Sequence, residues 1–168
     1  MIELIRRLYR KLFLGIREYK YTNIYPTAEM GRDCVIGSYS EIGDKVKIGN
    51  RCKLGAYTFL PKGVTIGNEV FIGPKVTFSN DKYPKATGEW KVYETRVEDG
   101  ASIGAGCSIV CGIRIGKNTK IGMGSVVTKD VPDNAVVYGV PAIERGSKKW
   151  KEKDYTSGFG NKEMEAAG

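Results

Sequence analysis

The sequence predicts an all-β solenoid, a parallel β-helix of triangular cross-section, with a helix at its N-terminal end and a charged segment at the other. Three observations predict it. Large apolar residues recur every six positions at Ile24, Met30, Ile36, Ile42, Ile48, Leu54, Leu60, Ile66, Ile72 and Phe78, and again at Val97, Ile103, Ile109, Ile115, Ile121 and Val127. Glycine often follows the apolar residue, as at Gly37, Gly55, Gly73, Gly104 and Gly122. A small or β-branched residue usually sits four after it, as at Cys34, Ser40, Cys52, Thr58, Ala101, Cys107 and Ser125. Six is neither the helical period nor a simple strand alternation. It fits one short strand plus one corner. Three such units close a triangular coil, and the next coil stacks about 4.8 Å above it by parallel pairing. The apolar residue points to the axis, the small residue fills the corner, and glycine supplies the backbone dihedrals a corner needs. Five or six coils make a prism roughly 25 Å tall.

The elements follow in chain order. Residues 1–23 read as an amphipathic helix, because Ile5, Leu8, Leu12, Phe13 and Ile16 recur at helical spacing. Arg6, Arg7, Arg10, Lys11, Arg17 and Lys20 crowd the same segment. Such a helix plugs the exposed end of the first coil or a neighbouring subunit; a basic amphipathic helix also suits a membrane surface. Residues 24–142 are the solenoid, interrupted by an excursion over 79–95. Residues 143–168 are charged, with a short helix around Lys148–Lys153 and a loose tail from Thr156.

Composition narrows the chemistry. A chain of 168 residues and 18.5 kDa is one domain by length, with 41% hydrophobic and 27% charged residues, as a globular protein has. No apolar run approaches a membrane span, and no secretory signal interrupts the charged N-terminal segment, which places the protein in the cytoplasm. Histidine is absent. That removes the commonest general base, the commonest zinc ligand and every Ser-His or Cys-His pair. Without histidine or a CxxC pair, the four cysteines are packing thiols rather than a metal site. Cys34 and Cys52 stack on one corner of adjacent coils. The net charge of +8 suits phosphate-bearing ligands, but no recognition helix or aromatic platform points to nucleic acid.

Function is expected where the repeat breaks. The excursion carries Asn80, Asp81, Tyr83, Trp90, Tyr93 and Glu94, a polar and aromatic set suited to a binding face. The second feature is a ladder of small residues: Gly104-Ala105-Gly106, then Gly122-Met123-Gly124, then Gly139-Val140-Pro141-Ala142. Three coils expose the same bare corner, along which an extended amide-bearing chain such as pantetheine can lie against backbone.

The chain resembles the hexapeptide-repeat proteins, whose fold is a left-handed parallel β-helix and which are mostly acyltransferases using acetyl-CoA or acyl carrier protein. Phe78-Ser79-Asn80-Asp81-Lys82-Tyr83-Pro84 is similar to the F-x-N-D-x-Y-P stretch of nucleotide-sugar 3-N-acetyltransferases. These acetylate the C3 amine of dTDP-3-amino-3,6-dideoxyhexoses or of a UDP-linked 2-acetamido-3-amino uronic acid, sugars of surface polysaccharides. Gly100-Ala101-Ser102-Ile103-Gly104-Ala105, Ile109-Val110-Cys111-Gly112, Val127-Thr128-Lys129-Asp130-Val131-Pro132 and Gly139-Val140-Pro141-Ala142 resemble the same group and specify acetyl-CoA better than the acceptor.

The resemblance implies acetyl transfer from acetyl-CoA to the amine of a dTDP- or UDP-linked amino sugar, in a homotrimer with sites between subunits and no metal. Hydroxyl acceptors in this fold normally use a histidine base; an amine is already nucleophilic and needs mainly positioning. Asn80 is the first candidate to orient the amine or the thioester carbonyl, with Asp81 as a hydrogen-bond acceptor from the amine or a turn residue. Tyr83, Trp90, Tyr93 and Glu94 are substrate candidates. Backbone around Gly104, Ala105, Gly122, Met123, Pro141 and Ala142 is expected to line the coenzyme, with Lys129, Arg145 and Lys148 for its phosphates. An acetyltransferase for an O-linked or antibiotic acceptor, or a non-catalytic scaffold, are the alternatives.

Overall fold

The structure, a computed structural model, describes residues 2–146. The helix expected near Lys148, the tail and Lys148 itself lie outside the described residues. The chain winds into a parallel β-solenoid whose strands, mostly two residues long, stack into three sheets. The first sheet runs from Arg17–Glu18 through Val35–Ile36, Lys53–Leu54, Phe71–Ile72, Ser102–Ile103 and Lys120–Ile121 to Val136–Gly139. The second runs from Asn23–Ile24 to Val126–Val127, and the third from Glu29–Met30 to Arg114–Ile115. Pairing keeps apolar slots in register: Ile36 with Leu54, Ile42 with Leu60, Ile48 with Ile66. Ile72 pairs with Ile103, so the coil resumes in phase after the excursion. A parallel stack buries these side chains along one axis, where Ile36, Ile42, Leu60, Ile72, Phe78 and Ile103 are fully enclosed. The strand Ala142–Gly146 folds back antiparallel on Val136–Gly139 and closes the C-terminal edge.

Cys34 and Cys52 do stack in the small-residue slot, their Sγ atoms reaching the carbonyls of Gly49 at 3.2 Å and Gly67 at 3.0 Å. The reason for the glycines differs from the one the sequence suggested. The residue in the left-handed region is the third after the apolar slot, and it is mostly not glycine: Asp33, Tyr39, Lys45, Arg51, Tyr57, Glu69 and Lys75 have φ between 55° and 60°. The glycine directly after the apolar residue is required by the coil above. A Cβ on Gly73 would lie 2.6 Å from the nitrogen of Ala105, and one on Gly55 would collide with the backbone of Pro74.

The N-terminal helix is shorter than the apolar pattern suggested, Ile2–Leu14. Gly15 ends it, taking φ +64° while the Ile16 N–H closes on the Arg10 carbonyl at 3.1 Å. Ile16 then enters the solenoid core, and Arg17–Glu18 already pairs with Val35–Ile36. The first sheet therefore has seven parallel levels, against the five or six coils that the repeat from Ile24 predicts, and spans about 29 Å. The helix does not plug the coil with its apolar side. It turns Arg10 inward, where the guanidinium pairs with a nearly buried Glu18 carboxylate, and leaves Ile5, Leu8, Leu12 and Phe13 in solvent.

Candidate active site

Each corner of the triangle forms one edge of the prism, and the candidate residues divide between two edges. The excursion leaves and returns at the edge between the second and third sheets, after Thr77–Phe78 and before Thr95–Val97. Two hydroxyls tie it to the coil above: Ser79 Oγ accepts the Cys111 N–H at 2.9 Å and Thr95 Oγ1 accepts the Gly112 N–H at 3.1 Å. The returning limb packs on glycine. A Cβ on Gly63 would meet Val92 Cγ1 at 2.5 Å, and one on Gly112 would meet Tyr93 Cβ at 3.3 Å. Asn80 and Asp81 are half-buried at the loop's base, and Asp81 Oδ1 accepts the Tyr83 N–H at 2.8 Å. That bond is the turn role the sequence left open for Asp81. Tyr83 and Trp90 stand in solvent, 68% and 56% exposed, as does Glu94, while Tyr93 is half-buried under the Lys91 ammonium, 5.2 Å from its ring centre. Lower on this edge the Thr27 hydroxyl and the Lys62 ammonium hold the Asp44 carboxyl below its usual range. Lys129, exposed, lies on this edge too, between Val126–Val127 and the Ile115–Val131 bridge.

The small-residue ladder runs along a different edge, between the first and second sheets. One left-handed corner position changes character as the stack rises. Tyr21, Tyr39 and Tyr57 occupy it first, their rings stacked 5.0 Å apart. Lys75 follows, then Gly106 and Gly124 at φ +69° and +67°. Tyr57 and Lys75 adopt the same conformation, so the turn itself does not demand glycine at 106 and 124. Among the described residues a Cβ on either glycine would meet nothing within 4 Å, so that they leave this stretch of the edge bare and open.

Hydrogen bonding selects which groups on that edge can serve a ligand. The N–H groups of Gly104, Gly106, Gly122 and Gly124 all donate to carbonyls of neighbouring coils, at 2.8, 2.9, 2.9 and 2.8 Å. Among the described residues the corner N–H groups of Ala105 and Met123 have no such acceptor. Gly122 is less open than the sequence implied, since a Cβ there would lie 2.7 Å from Tyr138 Cβ. Tyr138 in turn carries the Arg145 guanidinium 5.4 Å above its ring, so Arg145, Pro141 and Ala142 gather at the top of this edge.

The structure thus brings Asn80, Asp81 and Tyr93 together at one edge, and Gly104, Ala105, Gly122, Met123, Ala142 and Arg145 together at another. It does not bring the two groups together within one chain, because the whole second sheet separates them. Sequence reading missed the tyrosine column, Tyr138 and the anchors Ser79 and Thr95. The signal for the column was present as an 18-residue spacing.

Residues 45–80 and 94–129 match the family described as "Bacterial transferase hexapeptide (six repeats)", and residues 29–60 match the "Hexapeptide repeat of succinyl-transferase", together just over half of the chain. A galactoside O-acetyltransferase of Lactococcus lactis is 39% identical over 79 residues, 44% of this chain and 38% of that protein. The dTDP-3-amino-3,6-dideoxy-alpha-D-galactopyranose 3-N-acetyltransferase of Aneurinibacillus thermoaerophilus is 54% identical over 52 residues, 31% of this chain and 27% of that protein. The chain spans less than half the length of these two relatives. Among solved structures, AntD, an N-acyltransferase from Bacillus cereus in complex with dTDP and 3-hydroxybutyryl-CoA, superposes with a TM-score of 0.75 at 20% identity, covering 89% of each chain. At that identity the likeness is one of fold.

Proposed function

Because the chain belongs to the hexapeptide-repeat transferases, we propose that it moves an acetyl group from acetyl-CoA to the amine, at C3, of a dTDP- or UDP-linked amino sugar. The observation that carries this reading is the bare edge at Gly106 and Gly124, where glycine stands in a conformation that Tyr57 and Lys75 tolerate. Backbone open at a place that does not need glycine fits a ligand that must approach closely. The pantetheine arm lies along it, with its amide carbonyls taking the N–H groups of Ala105 and Met123. Arg145 stands above for a phosphate, and Lys129 serves from the other edge.

The acceptor reading rests on the missing histidine and on the similarity of Phe78–Pro84 to amine acetyltransferases, a class represented among the relatives. In the reaction the amine nitrogen attacks the thioester carbon and a C–N bond forms. The tetrahedral adduct collapses with loss of the C–S bond, and the departing CoA thiolate takes the amine proton. Asn80 orients the amine or the carbonyl through its side-chain amide, which does not titrate. Tyr83, Trp90, Tyr93 and Glu94 frame the sugar nucleotide. The separation of the Asn80 edge from the glycine edge supports a site completed by a second copy of the chain, hence a trimer with three sites.

Thiol release from acetyl-CoA, with product mass, tests the reading on a panel of nucleotide 3-amino sugars, their 3-hydroxy analogues, galactosides and serine. Acceptor-dependent release with the amines alone is expected. The similarity to a galactoside O-acetyltransferase favours a second reading, an O-acetyl acceptor; turnover of hydroxyls but not amines would establish that one instead.

A further inference from the structure

The N-terminal helix is amphipathic in the opposite sense from a helix that seals a core. Its polar side faces the solenoid: Arg10 pairs with Glu18 and with Glu3 at 2.9 Å, and Arg7 donates to the Glu18 carbonyl at 3.3 Å. Its apolar side faces water, with Ile5 60%, Leu8 54%, Leu12 65% and Phe13 66% exposed. Beside this face lies a cleft of about 430 Å³ between helix and first coil, lined by Arg7, Lys11, Ile16, Arg17, Glu18 and Tyr19. Lys11 and Arg17 have no carboxylate within ion-pair distance among the described residues. The segment through Lys20 carries six basic residues against two acidic ones.

The geometry points to a docking surface for an anionic lipid membrane, with the helix lying in the interface, its apolar face among the acyl chains and Lys11 and Arg17 on headgroup phosphates. Thirteen residues make about 20 Å of helix, too short to span a hydrocarbon core of ~30 Å but long enough to lie along its surface. Aliphatic and aromatic residues on one side with basic residues at the margin are the pattern of an interfacial helix. Charge disfavours a two-fold pairing of this face with a second copy. Apposing the same face of two chains brings Lys11 and Arg17 toward their own copies in a molecule already at +8, whereas an anionic surface neutralises them.

Sedimentation of the full chain with vesicles tests this. Binding to phosphatidylcholine vesicles containing phosphatidylglycerol is expected, with much weaker binding to phosphatidylcholine alone and a decline as salt rises. The double variant Leu8→Glu, Leu12→Glu is expected to lose binding by more than about tenfold. Lys11→Gln and Arg17→Gln each weaken it on the order of fivefold while leaving the apolar face intact. Circular dichroism and thermal melting check that the variants fold; should the double variant fail to fold, the single charge variants and the salt response still decide. Three results overturn the proposal: no binding to anionic vesicles, equal binding to both vesicle types, or a change of oligomeric mass in a folded double variant, which would assign the face to a subunit contact. Acetyl-transfer kinetics without vesicles should be the same in all these variants, so docking and acetyl transfer fail or hold separately.

Discussion

The main-chain N–H of Tyr93 donates to the carbonyl of Asn80 at 3.0 Å, closing the excursion at its base. The bond uses only backbone, so the Asn80 side chain takes no part in closing the loop. Asn80→Ala is therefore expected to keep the loop and lower kcat/KM by roughly tenfold to a thousandfold, about 1.4 to 4 kcal/mol of transition-state stabilisation. Asp81→Asn should cost less, because an amide oxygen can still accept the Tyr83 N–H. Steady-state kinetics with both substrates varied check this; wild-type turnover in Asn80→Ala would leave the loop as a binding lid only.

Gly124→Ala places a methyl group on the open edge where nothing among the described residues lies within 4 Å. The left-handed conformation makes the change cost about 1–2 kcal/mol of stability, which a melting curve reads. The expected functional effect is a several-fold rise in KM for acetyl-CoA. Tyr57→Gly, at the same corner position in the aromatic part of the edge, is the control and should leave that KM unchanged. Equal donor kinetics in both variants would move the coenzyme off this edge.

With no histidine in the chain, the proposed reading makes the acceptor's own amine the group whose titration sets the rate near neutrality. At subsaturating sugar the rate should rise with pH through the amine's pKa and level off, since only the free base attacks. A second amino sugar with a different amine pKa should carry the inflection with it. An inflection that stays fixed across substrates would belong to an enzyme base, with Asp81 and Glu94 the groups to convert to Asn and Gln. The hydroxyl analogue should not be acetylated detectably.

The solenoid's glycines and its left-handed residues should respond oppositely to substitution. Gly55→Ala drives a methyl group into the backbone at Pro74 and should destabilise by about 1–3 kcal/mol or more. Lys45→Gly removes a side chain from φ 58° and should be neutral or stabilising by up to about 1 kcal/mol. Denaturant melts of the two variants measure the contrast.

The six-residue period by itself determined the solenoid. A slot occupied by Ile36, Ile42, Ile48 and Leu54 can turn inward at every repeat only if one strand and one corner alternate, and Leu54 beneath Ile72 is the outcome. The break after Phe78 likewise located the loop. Tertiary contact decided what local pattern could not. The apolar spacing through Ile16 reads as continuous helix, but Gly15 turns the chain and Ile16 is drawn into the solenoid core. The same contact fixed which side of the helix faces inward, because Glu18, arriving from the first coil, captures Arg10. A glycine is equally silent about its own reason: Gly73 is needed by the backbone of Ala105 one coil above, whereas Gly106 is needed by no neighbour among the described residues. Such distinctions depend on residues that meet only when coils stack. The separation of Asn80 from the bare edge at Gly106 depends on how the chain divides around three sides of a triangle, which no spacing along the sequence displays.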